Sequence, residues 1–188
     1  LKTFPKSERA ARLLLRQAGT DVVAEDKAVE VLLGVDAKSP LYEAARRQAA
    51  TLLYNIYRRA KGNDRDFAAL RFAEVSEGLI KLDAKKLAEG NEEEKKEATA
   101  HLLVRVRQLL DAVLGMSAPD LERAEKAFQL LDSVVAEAGL DLKKVDDEIT
   151  YRRLQVALAR ARPDEATRQL DHLHALGGRF SDAADRLM

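Results

Sequence analysis

Residues 151–176, YRRLQVALARARPDEATRQLDHLHAL, decide the fold because they hold two helical patterns separated by a proline. Tyr151 and Leu154 stand three residues apart, which places both on one face of a first helix. Pro163 follows that run, and its fixed φ and missing N–H suit the first turn of a second helix. Ala166 then begins a second apolar stripe. The segment therefore predicts two helices that pack against each other.

The second of these runs belongs to a pattern that recurs along the chain. It begins with an acidic residue. An Ala follows two residues after the acid, and apolar residues follow four and seven residues after that Ala. Its four members are Asp26/Ala28/Leu32/Val35, Asp66/Ala68/Phe72/Val75, Glu122/Ala124/Phe128/Leu131 and Asp164/Ala166/Leu170/Leu173. The helix dipole favours an acid in the first turn, and a small Ala lets a neighbouring helix approach closely. We therefore expect Ala68, Ala124 and Ala166 to be buried where helices meet.

Glycines and prolines mark where these helices end and begin. Every glycine except Gly78 follows a helical pattern, where a left-handed cap favours Gly, and all four prolines precede one. Reading between them gives eight or nine helices, near 6–18, 24–34, 40–61, 64–83, 91–115, 119–138, 143–161, 163–176 and 180–188. The sequence therefore predicts an all-α protein.

Two of the units resemble the tetratricopeptide repeat. They read Tyr151-x2-Leu154-x3-Leu158 followed by Ala166-x3-Leu170, and Leu53-Tyr54-x2-Tyr57 followed by Ala68-x3-Phe72. The resemblance implies one domain over residues 1–188, a right-handed stack of antiparallel helix pairs (a TPR-like α-solenoid). The pairs are expected near 6–35, 40–83, 91–138 and 143–176, with a final helix 180–188 from an incomplete unit.

Composition excludes several functional classes. The chain has no Cys, which excludes disulfides, thiol nucleophiles and Cys-ligated zinc. Its formal net charge is zero, unlike the basic footprint of a nucleic-acid binder, and no apolar run is long enough to span a membrane. No phosphate loop, nucleophile elbow or metal-binding histidine pair occurs, and His172 and His174 point away from each other on a helix. We therefore predict no catalytic residues, no metal and no cofactor, and a protein that is not an enzyme.

The candidate binding residues are polar side chains on the first helices of the predicted pairs. In tetratricopeptide-like proteins these helices line a concave groove that holds a peptide, and the Arg guanidinium suits carboxylates. The candidates are Gln48, Asn55, Arg58, Arg59, Arg105, Arg152 and Arg160. The expected partner is another protein or peptide, with an acidic or C-terminal segment in the groove. The alternative is that these arginines only form ion pairs with nearby acids.

A protein-binding module is accordingly the first functional hypothesis, and a structural spacer or oligomerisation segment of a larger scaffold or envelope protein is the second. Residue 1 is Leu, and the apolar residues of 180–188 read as half of another helix pair. We therefore expect a fragment of a longer repeat array whose exposed ends favour homo-association. The sequence slightly favours the cytoplasm, while an exported context stays open.

Overall fold

The computed structural model describes residues 25–187, together with residues 9, 12, 13 and 15. Over residues 25–187 all of the regular secondary structure is helical, and the all-α prediction is confirmed. Its eight helices are α1 (Glu25–Leu33), α2 (Tyr42–Arg59), α3 (Gly62–Glu89), α4 (Glu92–Leu114), α5 (Leu121–Ala138), α6 (Asp146–Ala159), α7 (Pro163–Leu176) and α8 (Arg179–Ala184). Of the helix predicted near 6–18, the four described positions are helical, and the others lie outside the described residues.

Two predicted helix ends differ from the structure by more than three residues. The helix predicted over 64–83 continues to Glu89, because Leu87 extends the buried stripe of Leu79 and Ile80 by two further turns. The final helix, predicted over 180–188, ends at Ala184, which is the last buried residue of its apolar face.

Local side-chain chemistry explains where several helices start. At the start of α4, the Asn91 side chain accepts hydrogen bonds from the Glu93 and Glu94 N–H groups, and Glu94 accepts one from the Asn91 N–H. This reciprocal arrangement is a capping box, which satisfies N–H groups that have no partner within the helix. Asp120 accepts similarly from the Arg123 N–H before α5, and Pro163 opens α7 as predicted.

The glycines end helices for more than one reason. Gly139 adopts the left-handed conformation that the sequence predicts, with φ of 64° at the end of α5. Gly115 follows α4 with φ of −88°, so the left-handed prediction is wrong there. A Cβ at Gly115 would instead collide with the Tyr57 hydroxyl of α2, so close approach of that side chain is what requires glycine.

Consecutive helices pack as antiparallel neighbours. Only residues 60 and 61 join α2 to α3, and Lys86 near the end of α3 binds Glu43 near the start of α2. Residues 90 and 91 join α3 to α4, and the Ser117 N–H beyond the end of α4 donates to Asp66 near the start of α3. α6 and α7 pack against each other, and both contact the short α8.

Contacts also form between alternate helices. α2 contacts α4, α3 contacts α5, and α6 contacts α8. The alanines of the recurring pattern are buried in clusters shared by the helices of a pair, with Ala68, Ala124 and Ala166 at 3%, 0% and 2% exposure. The prediction that these alanines are buried is confirmed.

Enlarging one of these alanines tests the packing. Ala166 lies in a cluster with Leu154, Leu173 and Ala184, so Ala166→Leu should overpack it and lower the free energy of unfolding by about 1–3 kcal/mol. Ala175→Leu is the matched control, since Ala175 is exposed on the same helix. Urea denaturation compares the two variants, and equal stabilities would contradict the assigned contact.

Candidate peptide-binding surface

A shared carboxylate joins α2, α4 and α6 side by side. On α4, Asp111 Oδ2 accepts a hydrogen bond from the Tyr54 hydroxyl of α2 at 3.0 Å. Its Oδ1 accepts one from Arg152 Nη2 of α6 at 2.9 Å. Burial, together with the Asp111 charge, raises the pKa of Tyr54 to about 12, so its phenol stays protonated and keeps donating. We call these three helices the binding row, because they carry most of the predicted groove residues.

A second tyrosine fixes one end of this row. Tyr57 is 1% exposed, and its hydroxyl donates to the Asp111 backbone carbonyl at 3.0 Å. Arg65 Nη2 donates to the same hydroxyl at 2.9 Å, and the Arg65 guanidinium stacks on the Tyr57 ring at 4.8 Å. The hydroxyl fits only because Gly115 has no side chain. The position of α4 relative to α2 is therefore tightly specified.

Three of the predicted groove residues lie together on α2. Gln48, Asn55 and Arg58 follow each other by seven and three residues, a spacing that places them on one helix face. Asn55 and Arg58 are exposed and Gln48 is half-buried. Within residues 25–187 none of these three side chains forms a hydrogen bond or ion pair. We call these three residues the α2 stripe; it is polar and open to a ligand.

Three other predicted residues are already bound to carboxylates. Arg59 pairs with Glu25 of α1, at the edge of the row. Arg160, just beyond α6, pairs at 3.0 Å with Glu125 of α5, a helix that is not part of the binding row. Arg152 lies in the binding row but is held by Asp111. Arg160 is therefore paired away from the α2 stripe. Arg59 lies next to the stripe, with Nε donating to the Asn55 backbone carbonyl at 3.2 Å, but its guanidinium is taken by Glu25.

Arg105 is buried rather than open to the groove. It is 8% exposed, and its guanidinium lies 5.8 Å from the centre of the Phe72 ring of α3. Nη1 donates to Gln108 Oε1 at 3.1 Å, while Nε is buried with no hydrogen-bond partner in the described chain. Burial, reinforced by the nearby charge of Arg47, lowers the pKa of Arg105 to about 10. The side chain nevertheless remains charged at neutral pH.

Arg105 borders a cluster of mixed charge between α2 and α3. Fully buried Asp83 accepts from both Nη atoms of Arg47, and Glu43 accepts from Arg47 Nε at 3.0 Å and Lys86 Nζ at 2.7 Å. Burial acts to raise the pKa of Glu43, but the hydrogen bonds from Lys86 and Arg47 outweigh it, so that the pKa lies below its ordinary value. Glu43 is therefore ionised and holds the two cations in place.

Most arginines beyond this cluster tie one helix pair to the next. A carboxylate on a neighbouring helix or loop pairs with each of them. The pairs are Arg59–Glu25, Arg71–Glu30, Arg123–Glu77, Arg107–Glu148, Arg152–Asp111, Arg153–Asp132, Arg160–Glu125 and Arg162–Glu125. Ion pairing with nearby acids thus accounts for Arg59, Arg152 and Arg160, and leaves Arg58 of the α2 stripe available.

Sequence reasoning did not identify Tyr54, Asp111, Gln108 or Gln155 as parts of the binding row. One signal was present: Arg105 and Arg152 are each followed by Gln three residues later, and these are the only two such spacings in the chain. In both, Arg Nη1 donates to Gln Oε1 at 3.1 Å. Asp111 carried no comparable signal, since its partners lie 57 residues before it and 41 residues after it.

The histidines of the described chain each lie beside one acid, His101 at 3.9 Å from Glu97. His172 lies 3.1 Å from Asp146 and His174 lies 2.8 Å from Asp185, as isolated pairs. The described residues contain no group of three potential ligands that could hold a metal ion. No helix among them combines the length and apolar character needed to cross a membrane.

Comparison with known proteins adds no relative. No family model matches the chain, no curated protein is similar enough to count as related, and no solved structure matches the fold. The resemblance to the tetratricopeptide repeat therefore stays a prediction that depends on the residues quoted for it.

The lowered pKa of Glu43 predicts how stability depends on pH. Because the pKa of Glu43 in the folded state lies below its ordinary value of 4.5, the contribution of Glu43 to stability is complete above pH 4.5. It is lost as the pH falls through the folded pKa, as the hydrogen bonds to Lys86 and Arg47 weaken. Since Glu43 is partly exposed, the effect should be about 1 kcal/mol or less.

The measurement is the free energy of unfolding from pH 7 down to pH 3 in wild type, Glu43→Gln and Glu74→Gln. Glu43→Gln should flatten the pH dependence relative to wild type. Glu74 is exposed on α3 and has no ion pair in the described chain, so Glu74→Gln should retain the wild-type slope. Parallel curves for all three proteins would contradict the role of Glu43.

Proposed function

We propose that this chain is a non-catalytic protein-interaction module that binds an acidic peptide segment along the binding row. The observation that supports this most directly is the α2 stripe. Arg58, Gln48 and Asn55 present a cation, donors and acceptors with no partner in the described part of the protein. Nearby, Val104 of α4 is 49% exposed and can contact an apolar side chain of the same peptide.

The proposal includes a right-handed stack of tetratricopeptide-like helix pairs. Antiparallel packing of α2 with α3, α4 with α5 and α6 with α7 supports it, as do the contacts between alternate helices. The recurring Ala positions at the helix contacts support it as well. In such a stack the first helix of each pair lines one continuous surface, and here those helices are α2, α4 and α6.

A structural spacer is the second candidate, and the ion pairs between helix pairs favour it. Arg107, Arg152 and Arg153 of the third and fourth pairs each hold a carboxylate across the junction. Such ties would keep the pairs in fixed relative positions whether or not a peptide binds. A spacer would not select peptides, which separates it from the first proposal.

Selection of peptides from a random display library tests the binding function. The selected sequences should be enriched in Asp and Glu, and their affinity should fall at high salt because exposed charges are screened. Arg58→Ala should weaken binding by about two- to fivefold, the range for an exposed charge pair. Adding Gln48→Ala and Asn55→Ala should weaken binding further, because each removes further hydrogen-bonding groups from the stripe.

Arg168→Ala is the matched control for these affinities. Arg168 is exposed on α7, outside the binding row, and makes no ion pair in the described chain. Fluorescence anisotropy with a selected, labelled peptide should give the same affinity for Arg168→Ala and wild type. A library that yields no peptide, or binding that Arg58→Ala leaves unchanged, would favour the spacer instead.

A further inference from the structure

Arg105 is more buried than any other arginine in residues 25–187, and its polar atoms are incompletely satisfied. Its only hydrogen bond there is the one from Nη1 to Gln108. Ser76 of α3 is fully buried, and its Oγ also has no partner in the described chain. Ser76 lies one turn from Phe72 on the α3 face that Arg105 approaches. Unpartnered buried polar groups are rare, because each loses its hydration without compensation.

The charges around Arg105 do not balance. Three cations meet here, Arg47, Lys86 and Arg105, against only two carboxylates. Both oxygens of Asp83 accept from Arg47, and Glu43 is shared between Arg47 and Lys86. No carboxylate therefore remains for Arg105. Asp83 is near enough to favour the charge of Arg105 but forms no hydrogen bond with it. A buried cation with no directly bonded carboxylate is costly, and a bound anion would relieve that cost.

Arg152 provides a direct comparison within the same chain. It has the same bond to a Gln three residues later and, like Arg105, a buried Nε without a partner. It differs in one respect, because Asp111 of the neighbouring helix supplies a carboxylate at 2.9 Å. At Arg105 both the like charge of Arg47 and the opposite charge of Asp83 act, but Asp83 forms its hydrogen bonds with Arg47. The same arrangement is thus complete at Arg152 and lacks its carboxylate at Arg105.

We infer that Arg105, together with Gln108 and Ser76, forms a carboxylate-binding subsite between α2 and α4. Arg105 keeps 8% of its surface accessible, and Val104, next to it in the sequence, is 49% exposed. In a bound peptide the carboxylate belongs either to an Asp or Glu side chain or to the C-terminus. The subsite itself follows from the charge imbalance; its use for a peptide depends on the proposed function.

The first test uses the unmodified chain and acetate as the probe. In a ¹H–¹⁵N spectrum of arginine Nε–H groups, the Arg105 signal is identified by its loss in Arg105→Lys. Addition of sodium acetate should shift that signal until it saturates, whereas sodium chloride at the same ionic strength should not. An Arg105 signal that responds equally to both salts, or to neither, would overturn the inference.

Two variants provide a second, independent readout. Arg105→Met removes the unpaired charge, so the Tm without acetate should stay equal or rise, and the acetate-dependent rise in Tm should disappear. Arg152→Met is the matched control: it leaves Asp111 without its arginine, so its Tm should fall while the acetate effect remains. An acetate effect that persists in Arg105→Met would reject the subsite. Should Arg105→Met fail to fold, the spectrum of the unmodified chain still decides.

Two pentapeptides then distinguish the sources of the carboxylate. One carries a single Glu between blocked ends, and the other carries Gln at that position with a free C-terminal carboxylate. The peptide that shifts the Arg105 signal identifies the source. Acetate binding without binding of either peptide supports the subsite and counts against the peptide-binding function. Peptides that need Arg58 but leave the Arg105 signal unchanged support the function and reject the use of the subsite by a peptide.

Discussion

Alanines fill the contact between α2 and α3, where Ala50, Ala68 and Ala69 belong to one buried cluster with Leu53. Small side chains at such positions let helix backbones come close, and the larger apolar residues beside them then fill the remaining space. Close approach has a second effect, because it brings the polar edges of neighbouring helices within reach of a long side chain. The ion pair between Arg47 of α2 and Asp83 of α3 therefore depends on the same alanines.

The local part of this structure could be predicted from sequence, because helix periodicity, capping residues and buried alanines are local signals. The extension of α3 to Glu89 was also present in the sequence as Leu87, but Asp83 in the middle of the stripe obscured it. Asp83 is buried only because Arg47, 36 residues earlier, neutralises it. Partner choice of this kind depends on which helices become neighbours, and no spacing within one helix reports that.

The same limit applies to the candidate site. Helical spacing correctly groups Gln48, Asn55 and Arg58, because all three lie on one helix. It cannot separate Arg58 from Arg59, which are adjacent in the sequence but have different surroundings. Arg58 has no ion pair in the described chain, whereas Arg59 pairs with Glu25 of α1. Nor can it tell that Arg105 is covered by α3 while Arg152 meets a carboxylate. An arginine in a helical repeat can stabilise the stack or bind a ligand, and the neighbouring helix decides which.

The sequence separation of these interactions has a consequence for how the chain folds. Among the side-chain hydrogen bonds of the described residues, the longest separation is the 57 residues between Tyr54 and Asp111. Closing loops of that length costs little more entropy than closing shorter ones, and structures built from nearby contacts generally fold fast. Each helix pair can form soon after its own residues are available and then serve as a template for the next. Within residues 25–187, folding can thus begin at any helix pair and extend to the neighbouring pairs, because no side-chain hydrogen bond there joins residues further apart in sequence than Tyr54 and Asp111.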